Sequence, residues 1–338
     1  MARLDLTREQ ILAYRRRAGA LDERLPTGEE SLRRAAVAGL QDSMPRAAVL
    51  SLHARVEGID SAGWEHASLV QLWGPRYQVY VVAAEDLAPF SLGRLPDDEK
   101  GRRRAQQAAD ALERHLGGAR LPYGQAGRGL GVNANSLRYG ATTGRVLIRW
   151  EGARQPTVWT GPAPDVTPRE AQLELARRYL HVFGPATAEA FAKWAGIGAR
   201  SARESFAALG GELVDVRTPL GDAVLLASDV DPVRAAPRPP APARLLPSGD
   251  AFYLLWGADR ALLVPDAQHR NDLWTSRVWP GALLVGGEVR GTWRRAHDLV
   301  TVQAWGSLSA AERDAVEAEA ASLPLPGLDR GIRVRWEA

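Results

Sequence analysis

The chain has 338 residues, 43 basic and 40 acidic, for a net charge of +3 and an apolar fraction of 45%. That length supports two or three domains with real cores, and the absence of any apolar run of about eighteen residues excludes a spanning helix. No cysteine means no disulfide framework and no thiolate metal site, and Met1-Ala2-Arg3-Leu4-Asp5 lacks an apolar signal region, which fits a cytoplasmic protein. Lys100 and Lys193 are the only lysines; the remaining basic charge is arginine, whose planar fork suits phosphate recognition.

Thr7 opens a first helix, because Gln10 three residues on completes a capping box ahead of Ile11, Leu12 and Tyr14. Arg15-Arg16-Arg17 near its end suits the helix dipole. Helix-favouring runs follow at Ser31–Leu40 and Ala47–Val56, then a short helix at Trp64–Leu72. Tyr77–Val82 reads as a strand by its β-branched and aromatic content. Helices followed by a strand pair suggest a winged helix.

Asp97–Gly117 is a polar helix that stops at Gly117-Gly118. Gly124–Gly131 is glycine-rich, yet it follows no strand and has no Lys-Ser/Thr ending, so it fails as a nucleotide-phosphate loop. Strands are expected at Arg145–Trp150 and Pro156–Thr160. Thr167–Ser228 carries the clearest pattern: a capped helix from Thr167, a second through Trp194, a tight turn at Gly196–Gly198, a third to Leu209, then a hairpin. A proline-rich linker begins at Ala235. Beyond it short strands are expected at Phe252–Trp256, Ala261–Val264, Ala282–Val285, Val289–Trp293 and Leu299–Ala304, then a helix at Ala310–Leu323 and a strand at Ile332–Trp336, a small β-rich barrel.

Between the second and third apolar runs lies a polar corner, Gln41-Asp42-Ser43-Met44-Pro45-Arg46. Proline fits the first turn of a helix and not its interior. Asp42 and Ser43 in such a corner either satisfy the free N–H groups of the helix that follows or present polar groups for chemistry.

The corner has a familiar look. Leu40-Gln41-Asp42-Ser43-Met44-Pro45-Arg46-Ala47-Ala48, with Leu50-Ser51-Leu52-His53-Ala54-Arg55-Val56 after it, resembles the signature of the AlkZ-like (YcaQ-type) DNA glycosylases. These belong to a larger bacterial family of winged-helix DNA-binding proteins. Leu245-Leu246-Pro247, Leu262-Leu263-Val264-Pro265-Asp266, His269-Arg270 and Gly291-Thr292-Trp293-Arg294-Arg295 resemble the same family, so the likeness spans nearly the whole chain. It implies an α+β fold of tandem winged-helix units in a C-shape followed by a β-rich, barrel-like domain. The corresponding boundaries are 1–95, with the Gln41 corner, then 96–165 and 166–234, a linker at 235–248, and 249–338.

The resemblance further implies a monofunctional glycosylase acting on alkylated or bulky bases in double-stranded DNA, without cofactor or metal, as a nucleoid-associated monomer. Active relatives carry glutamine, an apolar residue, then glutamine or aspartate. Here Gln41 matches, but Asp42 takes the middle place and Ser43 the third. In an extended corner, residues i and i+2 point the same way, which pairs Gln41 with Ser43 and aims Asp42 elsewhere. Either the corner is rotated so that Asp42 acts, or catalysis is weak, or the chain is a non-catalytic regulatory or damage-binding protein. Gln41, Asp42 and Ser43 are the candidate catalytic residues. Arg46, Arg55, Arg76, Arg138 and Arg145 are the candidate DNA contacts. His53, His66, His115, His181, His269 and His297 never fall at metal-ligand spacing, and no Gly-x-Ser-x-Gly elbow or cysteine nucleophile supports acyl transfer.

Overall fold

Among the described residues, four small sheets organise the fold, three of three strands and one of five. The computed structural model describes residues 4–42, 46–152, 154–235, 237–325 and 331–337. The chain opens with β1 (Leu4–Asp5) and α1 (Arg8–Ala18), whose start is fixed by the expected reciprocal capping of Thr7 and Gln10. β1 does not join the sheet of the segment that follows. β1 instead pairs in parallel with a strand two hundred or so residues on, Leu4 beside Val216.

Next come α2 (Glu29–Ala35), β2 (Leu40–Gln41), α3 (Ala47–His53), β3 (Leu69–Trp73) and β4 (Val79–Ala83), with sheet order β2-β4-β3. The helix expected over Trp64–Leu72 is absent. Trp64 sits in one 3-10 turn and Leu69–Trp73 is a strand, paired along its length with the Val-rich β4; tertiary pairing outweighs local preference there. The run expected as helix to Leu40 ends at Ala35. Gly39 then takes φ 69°, and a Cβ on it would lie 2.7 Å from the Phe90 ring. Only glycine lets the chain turn so close to that ring and enter the sheet.

α4 (Leu87–Phe90) and the long α5 (Glu99–Leu116) lead to β5 (Leu121–Pro122), α6 (Tyr123–Gly129), a 3-10 segment at Ala134–Thr143, β6 (Val146–Arg149) and β7 (Thr157–Thr160). Their sheet has the order β5-β7-β6. The glycine-rich stretch is thus mostly helix. α7 (Pro168–Phe183), α8 (Ala188–Ala195), α9 (Ala199–Leu209), β8 (Leu213–Thr218) and β9 (Gly221–Leu226) follow in the order the sequence predicts, then α10 (Val230–Arg234).

The last part contains β10 (Ala243–Leu246), α11 (Asp259–Leu263), α12 (Ala267–Leu273), β11 (Gly281–Val285), β12 (Glu288–Ala296), β13 (Leu299–Ala304), α13 (Ala310–Ala321) and β14 (Arg333–Glu337). The sheet runs β10-β11-β12-β13-β14, antiparallel except for the final parallel pair that α13 bridges. Two expected strands are something else. Phe252–Trp256 begins in a 3-10 turn, and Ala261–Val264 largely belongs to α11. Short apolar runs do not distinguish a strand from a buried helix, and here Phe252, Tyr253, Leu254 and Leu255 fill the main core beside α7 and α8. Tyr179, Phe183 and Trp194 form an aromatic group within that core, with ring centroids 5.0–5.5 Å apart. The 252–255 segment and the α7–α9 helices therefore share one interior.

Candidate active site

β2 is only two residues long, yet it sorts the corner by faces. Gln41 pairs with Tyr80 of β4, and the Asp42 N–H donates to the Val79 carbonyl at 2.8 Å. Alternation along this strand turns Leu40 inward, Gln41 toward a cavity and Asp42 back into the protein. Ser43 lies outside the described residues.

The Gln41 Oε1 accepts from the Tyr80 hydroxyl and from Arg76 Nη2, both at 3.3 Å. With both oxygen lone pairs engaged, the amide NH2 is the end left to act on whatever enters. The adjoining cavity has a volume of about 340 Å3, and Arg76, Trp256, Arg277 and Trp279 share its lining with Gln41. Arg76 is held from three sides. Its Nη1 donates to the Trp194 carbonyl at 2.8 Å, its Nη2 to Gln41, and its guanidinium lies 4.2 Å from the Trp256 ring centre. Burial raises the Tyr80 phenol above its ordinary range against the opposing charges of Arg76 and Arg94, so it stays a proton donor to Gln41.

Asp42 is 1% exposed. Its Oδ1 accepts from the Ala48 N–H at 3.2 Å, and its Oδ2 from Gln71 Nε2 at 2.9 Å and Arg46 Nη1 at 3.4 Å. Burial raises its pKa, while the Ala48 N–H, Arg46 and Gln71 pull the other way. Gln71 goes on to bind both main-chain groups of Trp150, accepting its N–H at 2.7 Å. Asp42 thus pins the start of α3 and, through Gln71, ties β3 to the end of β6. Its position suits holding the corner's shape.

The five arginines singled out from sequence fall into two groups. Arg55 is buried and donates twice to Asp250, at 2.7 and 2.8 Å. No part of it is presented to solvent for a phosphate. Arg46 pairs with Asp42 and lies 4.0 Å from the Trp64 ring centre. Arg145 is bound by Asp110 and Glu113. Arg76 and Arg138, by contrast, pair with no carboxylate among the described residues.

Sequence reasoning missed Tyr80, Gln71, Trp256 and Arg277. Tyr80 was legible only as strand content, and Trp256 sat in a run read as a strand. Nothing local marks either as facing Gln41. Among the described residues there is no group of three or more side chains suited to a metal, and no helix long and apolar enough to cross a membrane.

Amide and guanidinium groups converge on one cavity, with no carboxylate in its described lining. The model of the AlkZ-like DNA glycosylases matches residues 32–324, and the chain belongs to that family. A curated relative, an interstrand DNA cross-link repair glycosylase of Streptomyces sahachiroi, is 30% identical over 165 residues. That match covers 47% of this chain and 43% of the relative, so less than half of either is compared. The solved structure of the DNA glycosylase AlkZ from Streptomyces sahachiroi superposes with a TM-score of 0.77 at 20% identity, over 99% of this chain and all of that one. The fold is therefore a shared one from end to end.

Proposed function

We propose that the chain is a monofunctional DNA glycosylase that hydrolyses the N-glycosidic bond of an alkylated or bulky base in duplex DNA. The observation that carries this reading is Gln41, fixed by Tyr80 and Arg76 and turned to a cavity of about 340 Å3. The bond between C1′ and the base nitrogen breaks with its electron pair leaving on the base, through an oxocarbenium-like sugar. A base that is already cationic departs neutral and needs little assistance. Water then adds to C1′ and releases a proton to solvent. The Gln41 N–H groups hold that water or the sugar oxygen in place. Because Arg76 and Arg277 line the cavity, the negative charge facing the sugar cation comes from the DNA's own flanking phosphates, which those arginines anchor.

This reading takes the three helix-and-hairpin segments as winged helices arranged in a C around the duplex, ahead of the β-rich last part, in a cytoplasmic monomer. Arg76 and Arg138 are its leading DNA contacts. Arg46, Arg55 and Arg145 serve it indirectly, by holding the frame through their acids. A second reading, a DNA-binding protein without catalysis, is favoured by Asp42 facing inward, which leaves the cavity no carboxylate among its described lining. A single-turnover assay on alkylated duplex, with strand cleavage at abasic sites as readout, decides between them. Base release supports the enzyme; tight binding without release supports the second reading.

A further inference from the structure

The turn between β3 and β4 holds two consecutive non-glycine residues in the left-handed region, Arg76 at φ 54° and Tyr77 at φ 58°. Such backbone is strained for a residue with a side chain and persists where the surroundings impose it, often at ligand sites. Here it carries Tyr77 against Tyr139 of the neighbouring segment, ring centres 5.2 Å apart and edge to face. Arginines surround this pair. Arg94 lies 5.4 Å from the Tyr77 ring centre, Arg104 of α5 lies 3.4 Å from that of Tyr139, and Arg138, the residue just before Tyr139, lies 5.9 Å from the Trp73 ring centre.

None of Arg94, Arg104 and Arg138 pairs with a carboxylate among the described residues. Arg94 is 4% exposed, with one hydrogen bond to the Trp73 carbonyl at 3.3 Å and its Nε buried without a partner. The Arg138 Nε is likewise buried and unpartnered. Burying a guanidinium without a counter-charge is costly. Arg103 and Arg145 nearby, by contrast, have acids, Glu99 and Asp110. A positive cluster left unneutralised at the surface is complete only when an anion arrives. Stacking on Tyr139 leaves the N–H edge of Arg104 in position to meet one.

We propose that the Tyr77–Tyr139 junction is a phosphodiester-binding site, where Arg104 and Arg138 each contact a DNA phosphate and Arg94 adds charge from beneath. Arg76, next to Tyr77, links this site to the Gln41 cavity. The site rests on the DNA reading above and deepens it.

The test is binding of an undamaged duplex oligonucleotide by the full chain, measured by fluorescence anisotropy over a series of salt concentrations. Arg104→Gln and Arg138→Gln should each lower the slope of log affinity against log salt by about 0.9, and weaken low-salt binding about three- to tenfold. Arg103→Gln, on the same helix but paired with Glu99, should match wild type within about twofold. Should Arg138→Gln fail to fold, the exposed Arg104 decides alone. Equal losses for Arg103→Gln and Arg104→Gln would reduce the effect to net charge and overturn the site. So would unchanged binding in both cluster variants while wild type still binds DNA, an outcome that leaves the DNA reading intact. Wild type that binds no duplex at low salt would overturn both.

Discussion

Arg55 and Asp250 stand 195 positions apart in sequence and share two hydrogen bonds in the protein interior. The Ser51 hydroxyl and the Phe252 N–H donate to the same carboxylate, at 2.7 and 2.9 Å. Burial raises the Asp250 pKa, but the Arg55 charge and these hydrogen bonds outweigh it and hold the carboxyl below its usual range. With Ser51, the pair fastens α3 and the turn just after it to the 248–254 segment, whose Ser248, Gly249 and Leu254 line the cavity.

Removing one partner leaves a buried charge alone. Arg55→Ala or Asp250→Ala is expected to lower the unfolding free energy by about 3–5 kcal/mol. The double variant Arg55→Met/Asp250→Leu should lose less than the two single losses added together, because no charge stays stranded. Urea unfolding measures all of them. Single variants within about 1 kcal/mol of wild type would show that the pair contributes little.

Gln41→Ala tests the cavity directly. Its single-turnover base-release rate should drop about ten- to a thousandfold, the loss expected for a transition-state hydrogen bond. Affinity for undamaged duplex should hardly change, since an amide adds nothing to the phosphate term. Equal loss of rate and of undamaged-duplex affinity would make Gln41 a binding residue.

Asp42 is expected to act through the fold. Asp42→Ala strands the Ala48 N–H and the Gln71 amide and should cost about 1–3 kcal/mol in denaturant unfolding. The base-release rate per folded molecule should stay within about threefold. A hundredfold rate loss at unchanged stability would instead put the Asp42 carboxylate beside the sugar.

His53 gives the protein an acid limit. Burial, with Arg24 and Arg244 adding repulsion, pulls its pKa from 6.5 down to about 4. Between those values the unfolded chain binds a proton that the folded chain refuses, so stability falls as pH falls. The loss from pH 6.5 to 4 should approach about 3 kcal/mol. His53→Gln should flatten this window in urea midpoints taken across it. Parallel curves for variant and wild type would assign the loss to other groups.

Local signals carried much of the fold. The capping boxes at Thr7 and Thr167 place two helix starts correctly, and the 167–228 elements follow because each boundary has its own cap or glycine. Strand alternation was enough to separate the Gln41 side chain from that of Asp42. What the sequence could not display are partners set by distant packing. Leu69–Leu72 reads as the end of a helix until β4 pairs with it. Phe252–Leu255 reads as strand until the α7–α8 aromatics cover it. Arg55 looks like a surface cation until Asp250 is found beneath it.

The pairing of β1 with β8 sets an order on synthesis. Leu4 leaves the ribosome about two hundred residues before Val216, the residue it lies beside, which at ~5–20 residues per second is a wait of roughly 10–40 s. Throughout that wait Leu6, Ile11 and Tyr14 lack the Val216 and Leu225 side chains that cover them in the finished core. α1 is thus made long before the hairpin that covers it, and until then the nascent chain carries an apolar surface that chaperones can hold.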